Sequence, residues 1–316
     1  MSKPASILGK AMQFSDMAVV VAVVLIVVMM VLPLPPALLD VMLALNISLS
    51  LLIILLTMNV VEPLEISAFP SIILIMTLFR TALNVSSTKL ILLTGNPGKI
   101  ITAFGQFVVG GNYVVGFVVF LILVIVQFMV ITKGSERVAE VAARFTLDAM
   151  PGKQMSIDAD LNSGLITESE ARLRRRNVER EADFYGSMDG ASKFVKGDAI
   201  ASIIITMINL IGGFAVGMLQ KGYDFSQALT RYTLLSVGDG LVSQIPALLI
   251  STATGIIITR AASENNLGQE LTQQMLSNRK VLFTAAGIVA VFGFVPGLPT
   301  VPFLIIGVMC GLLAYY

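Results

Sequence analysis

The chain has 316 residues, 56% of them hydrophobic and 13% charged, with a mean hydropathy of +0.87; a water-facing globular surface takes about 25% charged residues, so the composition specifies an integral membrane protein. A net charge of +1, from 21 Lys and Arg against 20 Asp and Glu, provides no field for nucleic acid or another polyanion. With no His and a single Cys, Cys310, neither a His-ligated metal, nor a Ser-His or Cys-His pair, nor an intrachain disulfide can be built, and no enzyme activity, cofactor or metal is expected.

Lys3 and Lys10 precede the first apolar run as in a signal peptide, but the run is too long and no A-x-A pattern follows. It is read as a first transmembrane anchor over 17–38. At about 20 apolar residues per crossing, helices are predicted over 40–60, 69–93 and 112–132, then 198–219, 235–259, 281–295 and 300–316. The fold expected is all-α, with about eight transmembrane helices. The last two are short, and Pro296, Gly297 and Pro299 between them predict a tight helical hairpin or a pair of half-spans.

Polar residues interrupt three spans at helical spacing. Arg80 lies near the middle of the third, with Thr77, Asn84, Ser87 and Thr88 at three- and four-residue steps around it. A central Arg costs about 2.5–3.5 kcal/mol on insertion scales, so this stripe faces protein or water. It is either a packing stripe whose Arg pairs with a neighbouring carboxylate or the lining of a hydrated path. The fifth span carries Asp198, Ser202, Thr206, Asn209 and the Gly212-Gly213 pair down one face, with Asp198 placed at its mouth. In the sixth, Gly238-Asp239-Gly240 precedes Ser243, Ala247, Ser251 and Thr254 on one face. Ser and Thr so spaced are often only packing contacts, and Gly213-x-x-x-Gly217 is a pattern of close helix approach. Asp239, an acid within an apolar run, marks a candidate ion or proton site. Asp198 is open to two readings: a proton-responsive switch beside Lys193 and Lys196, or a residue that pairs with Lys193 or caps its helix.

Between the fourth and fifth spans the composition inverts. From Lys133 to Asp198, 66 residues hold 23 of the 41 charges, dividing the chain into a first transmembrane block (1–132), a soluble insert (133–197) and a second block (198–316). Within the insert, Thr167-x-x-Glu170 reads as a capping box opening a long charged helix through Arg172, Arg174, Arg175, Arg176 and Arg180. Its acid and base spacing describes a solvated face rather than a nucleic-acid patch. Asp148, Asp158 and Asp160 fit no metal-loop template and are assigned to salt bridges and caps. Met150-Pro151-Gly152 signals a turn between two amphipathic pieces. Eight spans with the N-terminus inside put sixteen basic residues of the loops and termini on the inner side and Lys99, Lys221 and Arg231 on the outer. The insert and both termini are therefore expected in the cytoplasm.

Several runs resemble a known family. They are Glu136-Arg-x-Ala-Glu-Val-Ala-Ala-Arg-Phe145, Leu147-Asp-Ala-Met-Pro-Gly-Lys-Gln-Met155, Ile157-Asp-Ala-Asp-Leu161 and Gly186-Ser-Met-Asp-Gly-Ala-Ser-Lys-Phe-Val-Lys-Gly-Asp-Ala199 in the insert. Phe79-Arg-x-Ala-Leu-Asn84 and Gly238-Asp-Gly-Leu-Val-x-Gln-Ile-Pro-Ala247 extend the match through the membrane blocks. These residues resemble the FHIPEP family of flagellar and virulence type III secretion proteins. Pro33-Leu-Pro-Pro36 and Asp158-Ala-Asp-Leu-Asn162 look more like the flagellar branch than the injectisome branch, although the injectisome version of the export gate remains an alternative.

The resemblance implies the membrane part of a protein-export gate in the bacterial inner membrane, coupling the proton motive force to movement of unfolded substrates. It also implies a homo-oligomeric ring, a nonamer in the family, alongside other export-gate membrane proteins and the basal body ring. By motif it places the family's functional charges on Arg137, Arg144 and Asp148 in the insert, and on Lys193, Asp198 and Asp239; Arg80 joins them as a candidate coupling residue from its stripe. The family continues into a cytosolic domain through which it meets the export ATPase complex and chaperone–substrate complexes. This chain stops at Tyr316 and reads as a fragment without that domain. Setting the resemblance aside, the same polar stripes suit a proton- or ion-coupled secondary transporter of a small solute. Against it, four spans, an insert and four spans show no internal repeat.

Overall fold

The computed structural model describes residues 5–109, 111–260, 266–295 and 299–315. All its regular elements are helices among the described residues. They form two compact units, Met1–Thr57 with Pro63–Arg260, and Met58–Glu62 with Ala261–Tyr316.

In the first unit α1 (Ala5–Val31) and α2 (Pro36–Asn59) precede a short 3-10 turn, Pro63–Ile66. Then come α3 (Phe69–Leu93), which Pro70 opens in its first turn, and α4 (Lys99–Val109). Asn112 caps α5 (Tyr113–Val126), its side chain accepting from the Val114 and Val115 amides at 3.2 Å. A π-helical segment, Gln127–Thr132, joins α5 without a break to α6 (Lys133–Asn162). The unit closes with α7 (Glu168–Leu219) and α8 (Phe225–Thr259). The predicted capping box is present: Glu170 N donates to Thr167 Oγ1 at 3.3 Å and Thr167 N to Glu170 Oε2 at 2.7 Å.

Five helices are long and apolar enough to cross a membrane: Pro36–Asn59, Phe69–Leu93, the continuous Tyr113–Asn162, Glu168–Leu219 and Phe225–Thr259. The bent pair Leu267–Leu276 and Arg279–Phe292 would make a sixth, and Met17–Val31, Lys99–Val109 and Thr300–Tyr315 are shorter apolar helices. Composition gave eight because it counts apolar runs, whereas a crossing also depends on where each helix breaks. Conversely, α6 and α7 run through the composition boundaries near 133 and 198 without interruption. A loss of apolar residues marks the end of the hydrocarbon, not of the helix. The turn expected at Met150–Gly152 is likewise absent. α6 continues through Pro151, which is exposed on the outside of the α6–α7 hairpin, where packing against α7 holds the helix despite one lost backbone bond.

α3, α7 and α8 pack against one another, and α4 lies along α8. Glycine makes the α4–α8 approach possible. A Cβ on Gly238 would stand 2.1 Å from the Ile101 carbonyl oxygen, and one on Gly105 2.3 Å from that of Leu234. The Gly213-x-x-x-Gly217 pattern also accommodates a neighbour, which is the Tyr232 ring of α8 rather than a helix backbone. α4 is itself held from below by α2, where the Asp40 carboxylate accepts the Lys99 and Ile100 amides at 2.9 and 3.0 Å. This tertiary N-cap places a negative charge at the positive end of the helix.

In the second unit α9 (Leu267–Leu276) and α10 (Arg279–Phe292) meet at 71°. α10 packs along α11 (Thr300–Tyr315), with Gly307 against Ala286 and Ala290, as the helical hairpin reading expected. The Pro296-Gly297 part of the expected breaker lies outside the described residues, as does Lys3.

Candidate functional site: a polar seam between three helices

The three polar stripes face each other. Arg80 of α3 donates from both Nε and Nη2 to Asp198 Oδ2 of α7, and both side chains are 2% exposed. Thr81 Oγ1 lies 2.6 Å from Asp198 Oδ1 and 2.8 Å from the Thr77 carbonyl, so its single proton serves one or the other. One turn on, Asn84 Nδ2 donates to Ser202 Oγ at 3.0 Å. Further along α7, Asn209 Nδ2 donates to Asp239 Oδ2 of α8 at 2.9 Å, while Ser87 of α3 donates to the Asn84 carbonyl at 2.9 Å. From Asp198 to Asn209 the seam runs about 16 Å, at 1.5 Å per residue.

Arg80 with Asp198 and Asn84 with Ser202 share one offset, 118 residues. A constant offset means that α3 and α7 run parallel in register. That register corrects one pair of expectations. Arg80 at mid-bilayer and Asp198 at the mouth of its span cannot both hold, because the two side chains meet. The same register sets Phe69, Ile73 and Met76 beside residues 187–194 of α7, a stretch in which Met188 and Ala191 are buried. One face of the first half of α3 is thus covered by α7, and Arg80 and Asp198 lie at one depth. The alternatives left open for Arg80 divide as follows: it pairs with a carboxylate, and it does so at the head of a polar seam.

Lys193 does not reach Asp198. It pairs with Asp189 one turn back at 2.8 Å, which raises its pKa above the usual lysine value through that hydrogen bond and charge. Lys196 pairs with Glu136 of α6 at 2.9 Å. Local i,i+4 partners win because a side chain one turn away costs little ordering. Nor does Asp198 cap a helix, since it sits thirty residues inside α7.

A small cavity of about 60 Å³ opens beside the seam between α5, the π segment, α7 and α8. Ser202, Thr206, Ser243, Gln127 and Gln244 line it. Phe120, Leu121, Val124, Phe128, Ile203 and Met207 make most of its wall apolar. Gly240 lets Phe120 form its wall, since a Cβ there would meet that ring at 2.6 Å. The π segment turns Gln127 inward, a wide turn of the kind that recurs at functional positions. Along the seam Arg80 Nη1, Asn209 Oδ1 and Ser236 Oγ are buried and have no hydrogen-bond partner among the described residues.

The insert residues lie apart from the seam. Arg137 pairs with Glu140 at 2.7 Å and Arg144 with Asp148 at 3.8 Å, all well exposed. Across the hairpin Lys153 pairs with Glu181 at 2.6 Å, Arg174 with Asp160 at 3.1 Å, and Arg175 with Asp158. Asp158 and Asp160 are salt-bridge residues, as their spacing suggested. Sequence reasoning missed Thr81, Gln127 and Asp40. Thr81, four residues from Thr77 and three from Asn84, lies on the stripe and could have been read with it, whereas Gln127 depends on a π turn that has no sequence signature, and Asp40 acts across 59 residues of chain.

A family model described as the FHIPEP family matches residues 26–316. The chain is 60% identical over 305 residues to the flagellar biosynthesis protein FlhA of Bacillus subtilis, covering 96% of this chain and 44% of that protein. It is 54% identical over 301 residues to the flagellar biosynthesis protein FlhA of Salmonella typhimurium, covering 94% and 44%. A putative flagellar export/assembly protein, LfhA, of Escherichia coli O44:H18 is 50% identical over 301 residues, covering 94% and 43%. The chain therefore spans less than half the length of these relatives. No solved structure matches it.

Proposed function

The chain belongs to the FHIPEP family, and from that premise we propose that it is the membrane portion of a flagellar type III protein-export gate, which couples the proton motive force to passage of unfolded substrates. The observation that carries the coupling part is the seam: one buried ion pair and one buried acid joined by hydroxyls and amides along three packed helices. Moving one unit charge across the membrane is worth about 2.3 kcal/mol per 100 mV, enough to shift a two-state equilibrium by more than tenfold. In this reading Asp198 and Asp239 exchange protons, Arg80 sets which form of Asp198 is favoured, and Ser202, Thr206 and Asn209 connect the acids.

The flagellar assignment draws on the printed names of the relatives at 50–60% identity. Sixteen inner against three outer basic residues supports an inner-membrane topology with both termini and the 133–197 insert in the cytoplasm. The working form is a homo-oligomeric ring beside other export-gate proteins. The exposed charges Arg137, Arg144 and Asp148 then serve at the insert surface, where neighbouring subunits or partners are within reach.

The test is made in the full-length protein. Asp198→Asn leaves a guanidinium buried without a counter-charge, so it is compared with the neutral pair Arg80→Gln/Asp198→Asn. The pair is expected to restore membrane abundance while export of flagellar subunits stays on the order of tenfold or more below wild type. Export recovering with abundance would reduce the ion pair to a packing element and sink the coupling role.

A further inference from the structure

α9 has its own beginning and end. Asn266 Oδ1 accepts the Gln269 amide at 2.9 Å, and the helix stops at Ser277. Asn278 then leaves helical geometry, with φ −93° and ψ 89°, and its side chain accepts the Val281 amide at 3.4 Å to open α10. Two caps twelve residues apart make the 71° angle a corner written into the sequence rather than a bend in one helix.

The two helices differ in kind. After Arg279 and Lys280, α10 carries no charge through Phe292. α9 instead sets Leu267, Leu271 and Met275 at four-residue steps along one stripe, with Gln269, Glu270, Gln273 and Gln274 around the rest of its circumference. Leu276 lies off the stripe. Leu267 is half-buried, and Leu271 and Met275 are 46% and 70% exposed, so the described residues of this chain leave much of the stripe uncovered. What covers it is indicated by α10: with that helix near the membrane normal, a 71° corner lays α9 close to the membrane plane.

We infer that α9 is an interfacial helix, with the Leu267, Leu271 and Met275 stripe seated at the headgroup–acyl boundary of the chain's own bilayer. Arg279 and Lys280 stand at the corner, level with the lipid phosphates. The stripe then gives α10 a fixed depth, because withdrawing the corner from the interface would expose three apolar side chains to water. The inference rests on α10 lying in the membrane, which belongs to the reading above, but not on export or coupling.

The experiment uses the full-length protein carrying Cys310→Ala, with other cysteines of that protein removed. Single cysteines are placed at 267, 269, 271, 273 and 275, with Ile288→Cys as a reference on α10. Each is spin-labelled in nanodiscs of phosphatidylethanolamine and phosphatidylglycerol, and its accessibility to oxygen and to a water-soluble nickel chelate is measured. The expected result is a ratio of oxygen to nickel access several-fold higher at 267, 271 and 275 than at 269 and 273, with 288 lipid-like. Uniform nickel access along α9 would overturn the inference in favour of a helix in water. Low access to both reagents on the stripe would overturn it in favour of a protein cover such as a second copy, and uniform oxygen access in favour of a broken span. A water-like reading at 288 would remove the premise and the inference together.

Discussion

The seam between α3, α7 and α8 and the α6–α7 hairpin use charge in opposite ways. The hairpin region holds more than half of the chain's charges, and its ion pairs are mostly exposed and mostly local or bridging two neighbouring helices. Exposed pairs contribute about 0–1 kcal/mol each, so the hairpin's charges keep it in water more than they hold it together. The seam has three ionisable side chains, Arg80, Asp198 and Asp239, all buried, and the first two are paired. There a missing partner costs several kcal/mol, because the remaining charge has no water to turn to. Influence on stability follows burial and pairing rather than the number of charges.

The largest effect that tests this contrast is on the ion pair. Arg80→Gln or Asp198→Asn alone should destabilise the folded chain by about 3–5 kcal/mol, and the two together by much less, since neither charge is then stranded. Thermal unfolding of the purified variants in one detergent reads this directly. Additive losses would mean that the two side chains are not coupled and would erase the contrast. The next effect sharpens the comparison through packing. Gly238→Ala and Gly105→Ala drive a methyl into a backbone carbonyl of the facing helix and should cost about 1–3 kcal/mol or more. Gly186→Ala, in the exposed hairpin part of α7 with open space around it, should gain about 0.5–1 kcal/mol from helix propensity. The smallest effects belong to the hairpin surface. Arg144→Ala should change stability by less than about 0.5 kcal/mol, whereas Thr167→Ala, which removes the cap of α7, should cost about 1 kcal/mol. A larger loss for Arg144→Ala than for Thr167→Ala would show that surface charge does more here than the comparison allows.

Much of the site was legible before any coordinates. Arg80, Asn84 and Ser87, then Asp198, Ser202, Thr206 and Asn209, recur at three- and four-residue steps, and an apolar background makes such steps conspicuous. A one-dimensional pattern shows which residues share a face but not which face meets which. For that reason Asp198 was set beside Lys193, five residues away, when its partner is Arg80, 118 residues away. α4 escaped notice because eleven residues are too few for a crossing, yet its approach explains both Gly105 and Gly238. Gly238 and Gly240 were visible only as neighbours of Asp239. Their roles, admitting the Ile101 backbone and the Phe120 ring, depend on helices elsewhere in the chain.

α7 runs for 52 residues without a break, which makes it about 78 Å long at 1.5 Å per residue. Asp198 divides this rod into arms of about 45 Å and about 32 Å, and the bond to Arg80 holds it to α3 at that point. A helix with no break between its arms transmits force applied at one end to the other, past the point where the ion pair ties it to α3. Displacement of the hairpin end therefore reaches the membrane end as motion of one continuous helix, resisted by the packing of α3 and α8 along it. Loosening the bond at Asp198 would remove one polar restraint on that motion while the packing against α3 and α8 remains.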